Sequence, residues 1–236
     1  MAKNAIVTGA GSGVGRATAL ALLNENWNVA LIGRNVEKLK ETASLNKNPS
    51  AKTLICECDI SDYEEVKRTA ESIFSILGEV ELLVNAAGTN VPTRSFAEVS
   101  IEDYRQIIET NLNGAFYWIK SVLPQMRKRM SGTIINIVSD AGKLANAKAG
   151  AGYVASKFGL TGLTQSLNAE ERQNGIRACA IFPGDIDTPL LNKRPVPPTD
   201  EARKKMLKPE DIAKCVMLCV NLPQNAIVEE ILIRPA

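Results

Sequence analysis

Seven short apolar runs recur along the chain: Ala5–Val7, Val29–Ile32, Thr53–Cys56, Glu81–Val84, Ile134–Val138, Ala178–Phe182 and Glu230–Ile233. Most are continuous rather than alternating, and Val, Ile and Leu dominate them. A strand that is apolar at every position is buried on both faces, which predicts a parallel sheet covered by helices on each side. Between the runs lie amphipathic stretches: Gly15–Asn24, Val36–Leu45, Tyr63–Leu77, Asn113–Met130, Tyr153–Gln173 and Pro209–Leu222. Ser61-Asp62 and Pro209-Glu210 are helix-start signals. The alternation predicts one doubly wound α/β domain, a Rossmann fold of about seven strands over residues 1–236. One stretch breaks the rhythm. Asp185 to Lys208 carries Pro189, Pro195, Pro197 and Pro198 among many charges. It is too proline-rich for a regular helix, and residues 185–208 are expected to form a substrate-binding loop or lid.

In an open parallel sheet, ligands bind beyond the carboxyl ends of the strands. The residues that follow each run therefore share one rim. After the first comes Thr8-Gly9-Ala10-Gly11-Ser12-Gly13-Val14-Gly15, then a helix start. Glycines here permit a tight turn, a close backbone approach and a helix N-terminus open to a pyrophosphate. Their spacing is not G-x-G-x-x-G. After the second run stands Gly33-Arg34-Asn35, with no acid between Glu25 and Glu37. An acid there would repel a 2′-phosphate, whereas Arg34 can pair with one, which favours NADP(H) and leaves NAD(H) as the alternative. Asp59 follows the third run, placed either for an adenine amino group or for capping the next helix. Asn85-Ala86-Ala87-Gly88, Ser139-Asp140 and Pro183-Gly184 follow the next three.

Composition removes several function classes. The formal net charge is +2, and aromatics make up 5% of 236 residues, so no basic, aromatic surface suggests nucleic acid. No apolar run approaches the roughly 18 residues of a membrane span. The first strand begins almost at once, leaving no expected signal peptide and a cytoplasmic location as the expectation. Five cysteines, an odd number, argue against a disulfide framework. Cys56, Cys58, Cys215 and Cys219 lack zinc-site spacing and are read as small apolar fillers, so no metal is expected. There is no histidine, which excludes Ser-His triads and every histidine acid or base.

Tyr153-Val154-Ala155-Ser156-Lys157 puts a phenol and an ammonium four residues apart, on one face of a helix. A nearby cation stabilises phenolate and lowers the tyrosine pKa from its usual value near 10. In a chain without histidine, such a tyrosine is a credible acid/base, although an exposed Tyr/Lys pair is also common.

Taken together and in order, these residues resemble the short-chain dehydrogenase/reductase family. Thr8-Gly9-x-x-x-Gly13-x-Gly15 is similar to its glycine motif, Asn85-Ala86-Ala87-Gly88 to its strand-end turn, and Pro183-Gly184-x-x-x-Thr188 to its nicotinamide segment. Asn111, Ser139, Tyr153 and Lys157 fit its Asn-Ser-Tyr-Lys tetrad. The resemblance implies that Tyr153 exchanges a proton with a substrate carbonyl or alcohol oxygen. Ser139 would hydrogen-bond that oxygen, Lys157 would lower the phenol pKa and bind ribose, and Asn111 would hold a relay water. Hydride would pass directly between nicotinamide and substrate carbon. Implied cofactor contacts are Gly9, Ser12, Gly13, Val14, Gly15, Arg34, Asp59, Ile60, Asn85, Ala86, Gly88, Tyr153, Lys157, Pro183, Gly184, Ile186 and Thr188. The resemblance also implies a homotetramer or homodimer, with the apolar face of Asn113–Met130 packing on the sheet or on a partner copy.

Ser12 departs from NADP-preferring relatives, which often carry a base there. The C-terminus lacks the glycine pair of many acyl-carrier reductases. The expected activity is hydride transfer between NADP(H) and a small-molecule carbonyl or secondary alcohol. The alternatives are an NAD-dependent dehydrogenase of a sterol-like or sugar alcohol, and a non-catalytic dinucleotide sensor. The basic residues Lys193, Arg194, Arg203, Lys204 and Lys205 read as a solvated lid surface, with an anionic substrate as the competing reading. Leu144, Asn146, Leu190 and Leu191 are expected pocket residues.

Overall fold

A computed structural model describes residues 3–236. Seven strands form one sheet: β1 (Asn4–Thr8), β2 (Asn28–Gly33), β3 (Thr53–Glu57), β4 (Leu82–Asn85), β5 (Gly132–Ile137), β6 (Ile176–Pro183) and β7 (Glu230–Ile233). Their order is β3-β2-β1-β4-β5-β6-β7 and every pairing is parallel. Every residue of β1, β4, β5 and β6 is buried. The continuous apolar runs are therefore central strands with helices on both sides.

The eight helices among the described residues are α1 (Gly13–Asn24), α2 (Val36–Ser44), α3 (Tyr63–Leu77), α4 (Ile101–Ile108), α5 (Gly114–Arg129), α6 (Ala151–Glu171), α7 (Asp200–Lys204) and α8 (Pro209–Asn221). Helices α1, α2 and α8 pack one sheet face through Leu22, Leu23, Leu39, Ile212 and Val216. On the other face, α3, α5 and α6 bury Val66, Ile73, Trp118, Ile119 and Leu167. Local chemistry sets the starts. Asn35, Asp62 and Ser100 each accept the backbone N–H three residues on, at 3.0 Å, satisfying donors that a helix leaves open.

Two regions differ from the sequence expectation. Helix α4 was not anticipated, and it runs into a widened π turn, Glu109–Asn113, that carries Asn111. The segment expected to be irregular, 185–208, holds a 3-10 turn at Pro189–Lys193 and the short α7. Pro189 stands in the first turn, where its missing N–H costs nothing, and Thr199 caps α7 by accepting from Ala202 N at 3.3 Å.

Candidate active site

Thr8 closes β1. Its Oγ1 accepts from the backbone N–H groups of Ala86 and Ala87, both at 3.1 Å. That clamps β1 to β4 where the strand order reverses, the crevice in which doubly wound sheets bind ligands. The chain then turns at Gly9 with φ +67°, where a Cβ would meet Ala87 Cα at 2.9 Å. A Cβ on Gly15 would lie 2.3 Å from the Gly9 carbonyl oxygen. The wide glycine spacing thus lets α1 start hard against its own turn. Ser12, at the N-cap, makes no side-chain cap, and the first turn of α1 has no acid. Helices α2, α3 and α4 have both. The free N–H groups and positive end of α1 are left for an external anion.

Ser12, Gly13, Val14 and Gly15 line a cavity of about 430 Å³ that follows the rim of the sheet. At one end stand Gly33, Arg34, Lys38, Asp59 and Ile60. Arg34 lies 3.7 Å from Asp59. Asp59 also accepts from Ser61 N at 3.0 Å and Ser61 Oγ at 2.7 Å. Burial raises the Asp59 carboxyl, but the Ser61 hydrogen bonds and the Arg34 charge outweigh it and hold the group below its usual value. The cap of α3 is Asp62, not Asp59.

At the other end stand Ser139, Tyr153, Lys157, Pro183, Gly184, Ile186 and Thr188. Ser139 follows β5 and caps the 3-10 turn Asp140–Gly142; Tyr153 and Lys157 lie in the first turns of α6. Lys157 is 3% exposed. Its Nζ donates to Ile137 O at 2.9 Å and sits 5.6 Å from the Tyr153 ring centroid. Burial brings its pKa down to about 8. Burial also raises the Tyr153 phenol; the Ser139 hydroxyl and the Arg194 and Arg94 charges pull the other way without cancelling it. The expectation of a tyrosine lowered by its lysine is not met: the phenol is raised by burial, and the groups that pull it down are Ser139, Arg194 and Arg94 rather than Lys157.

Two expected residues lie behind the wall rather than on it. Asn85 donates to Asn136 Oδ1 at 2.9 Å, and Asn136 donates to Thr164 Oγ1 at 2.8 Å, so this buried chain props the rim while Ala86, Ala87 and Gly88 form the surface. Asn111 grips Thr89 twice, accepting from its N at 2.7 Å and donating to its O at 2.9 Å, and donates to Ser156 Oγ at 3.1 Å. Leu190 lines the cavity and Leu191 is buried. Leu144 and Asn146 are exposed in the turn after β5, outside the wall.

Lys38 and Thr89 were missed by sequence reasoning. Lys38 looked like one more polar position in the first turn of α2. Thr89 carried no signal of its own. Among the described residues no three or more Cys, Asp or Glu side chains gather as a metal site, and no helix is long and apolar enough to cross a membrane.

The sheet order, the uncapped α1 and the Ser-Tyr-Lys cluster define a dinucleotide-fold oxidoreductase, and comparison with known proteins agrees. A family model described as short chain dehydrogenase matches residues 3–197. The chain belongs to that family. It is 36% identical over 236 residues to an uncharacterised oxidoreductase of Staphylococcus saprophyticus, covering 99% of this chain and 97% of the relative. It superposes with TM-score 0.88 on an alcohol dehydrogenase from the archaeon Thermococcus sibiricus complexed with 5-hydroxy-NADP, at 28% identity, covering 100% of this chain and 97% of that one. A metagenomic short-chain oxidoreductase in complex with NADP gives TM-score 0.86 at 29% identity, with 99% and 97% covered.

Proposed function

We propose that the protein is an NADP(H)-dependent oxidoreductase that interconverts a carbonyl and a secondary alcohol, with Tyr153 as acid and base. One observation carries this reading. A single cavity has Ser139, Tyr153 and Lys157 at one end and Arg34, Lys38 and an uncapped α1 between glycines at the other. The donor set fits a nicotinamide dinucleotide. The α1 N-terminus would hold its pyrophosphate; Arg34 and Lys38 would hold a 2′-phosphate. Asp59 and Ile60 would face the adenine, Ala86 and Gly88 the adenosine, and Ile186 and Thr188 the carboxamide. Bound there, the cofactor supplies or accepts the hydride.

The chain's own residues handle the proton. In reduction Tyr153 donates its proton to the carbonyl oxygen; in oxidation it takes one from the alcohol. Ser139 donates a hydrogen bond to the same oxygen and steadies developing charge. Lys157, with its ammonium brought to about 8, gives up a proton near neutral pH far more readily than an ordinary lysine and can restore the one Tyr153 loses. The Asn111 side chain is occupied by Thr89 and Ser156, so a relay at this position would run through its main-chain carbonyl in the π turn. Residues 185–208 act as a lid over the substrate.

Two observations favour NAD(H) instead: Asp59 already sits by Arg34, and Ser12 is uncharged. Lys38, on the same wall, tips the balance to NADP(H). The same reading includes a homodimer or homotetramer, supported by Phe116 and Phe158, each 44% exposed on α5 and α6, and a cytoplasmic location. A purely dinucleotide-sensing protein would have no use for the Ser139–Tyr153–Lys157 cluster. The test is a panel of carbonyls with NADPH and NADH, and of alcohols with the oxidised cofactors, followed by nicotinamide absorbance. Turnover with NADPH is expected; a panel inert with both cofactors contradicts the reading.

A further inference from the structure

Arg94 lies on the segment between β4 and α4 and is 8% exposed. Its guanidinium donates only to main-chain carbonyls: Nε to Val91 O at 2.7 Å, Nη1 to Lys148 O at 3.4 Å, and Nη2 to Lys193 O. Among the described residues no carboxylate pairs with it. Lys193, at the end of the Pro189–Lys193 turn, lines the cavity together with Tyr153, Ser139 and Thr89. Its Nζ donates to Thr89 Oγ1 at 2.8 Å and has no carboxylate partner among the described residues. Of the other basic lid residues nearby, all but the exposed Lys205 are matched. Arg194 pairs with Asp185, Arg203 with Asp187 and Lys204 with Glu201. The basic lid thus divides into surface cations, all but Lys205 with local partners, and Lys193 backed by Arg94 at the cavity wall.

Burying a guanidinium without a counter-charge is costly. A structural latch explains the Arg94 contact with the Lys193 carbonyl. It does not explain why the lysine held by that contact turns its ammonium to Thr89 on the cavity wall. We propose that the substrate carries a carboxylate, which Lys193 binds directly, with the buried Arg94 adding its charge from behind and setting the Lys193 backbone. Arg94 and Arg194 are also close enough for their charges to bear on the Tyr153 phenol, so the cationic end of the cavity adjoins the reacting end. Asp140, whose charge bears on the phenol, is turned to Ser139 Oγ at 3.3 Å and lies 3.6 Å from Arg234, which leaves the Lys193 ammonium unmatched. The substrate class is therefore a short hydroxy or oxo acid, its carboxylate a few bonds from the reacting carbon. This inference rests on the oxidoreductase reading above.

The experiment compares short 2- and 3-hydroxy acids with their methyl esters, in the wild-type protein and in Lys193→Met and Lys193→Arg. Oxidation is followed by nicotinamide absorbance with NADP+. Lys193 is on the exposed lid, so neither variant endangers the fold. The readout is the acid-to-ester ratio of kcat/KM, in which any general loss of lid order cancels. Acids are expected to be preferred by roughly tenfold or more, as a charge-assisted contact provides. Lys193→Met should collapse the ratio mainly through the KM of the acid, and Lys193→Arg should keep it. Esters or neutral alcohols turned over as well as acids would overturn the inference and leave the oxidoreductase reading standing. So would an acid preference that survives in Lys193→Met. A panel with no turnover of acids, esters or neutral alcohols would overturn both.

Discussion

In the proposed reading, the residues at the Arg34 end of the cavity separate two cofactors that differ by one phosphate. Arg34 is the only charged side chain there that also faces an acid, Asp59, at 3.7 Å. Lys38 shares the wall without such a partner among the described residues. Each cation should contribute a charge-assisted contact to a 2′-phosphate and little to an unphosphorylated ribose. Arg34→Ala and Lys38→Ala are each expected to raise the KM for NADPH by about tenfold or more while moving the KM for NADH much less. Steady-state kinetics with both cofactors checks this, and equal shifts for the two would remove the phosphate argument. Lys38 shows how far this site could be read in the chain. Arg34 announced itself by standing at a strand end in a stretch without acids. Lys38 looked like one more polar position on an amphipathic helix, and only the packing of α2 against the Gly11 turn brought it to the wall.

At the level of elements, β6 carries a buried cation of a different kind. Arg177 is 8% exposed and donates to Cys219 O at 3.0 Å, Leu222 O at 3.2 Å, Pro223 O at 2.8 Å and Ala226 O at 2.7 Å, and to Thr133 Oγ1 at 3.1 Å. It takes up the carbonyls at the C-terminal end of α8 and fastens that helix to the sheet. Arg177→Met should leave these acceptors unpaired and destabilise the protein by about 3 kcal/mol, read as a lower urea midpoint with an unchanged cofactor KM in the surviving fold. The elements themselves were legible where packing follows periodicity. Continuous apolar runs became central strands, and α3 spans the stretch its pattern marked, Tyr63–Leu77. Helix α4 carries the signals of a helix, a Ser100 cap with Asp103 three residues on and Ile101, Tyr104, Ile107 and Ile108 on one face, but it is short and buries only Ile107, so it did not stand out among the longer amphipathic stretches. The π turn after it depends on how Asn111 grips Thr89, a contact across 22 residues that no local pattern carries. The lid helices were hidden by prolines that turned out to stand in or before first turns.

For the whole molecule, the buried ammonium of Lys157 couples stability to pH. Its pKa falls from the ordinary 10.5 to about 8 in the folded chain. Between those values the unfolded chain binds more protons than the folded one, so stability rises with pH across that window. Below about 8 both forms are charged and the full cost of burial remains. The shift corresponds to a cost of up to ~3 kcal/mol. Lys157→Met should therefore be more stable than the wild type near neutral pH, with the difference shrinking as pH climbs past 8. Urea unfolding of both proteins across this range measures it, and a gap independent of pH would contradict the assignment. In the proposed reading, the destabilising charge beside Tyr153 and Ser139 is kept for the proton transfer. The most direct measurement of that chemistry is turnover by Tyr153→Phe beside the wild type, on the same carbonyl substrate with NADPH, alongside NADPH binding by calorimetry. If Tyr153 is the acid, binding is retained while kcat falls by roughly 1,000-fold or more. A Tyr153→Phe protein that binds NADPH and turns over at the wild-type rate would show that Tyr153 is not the acid.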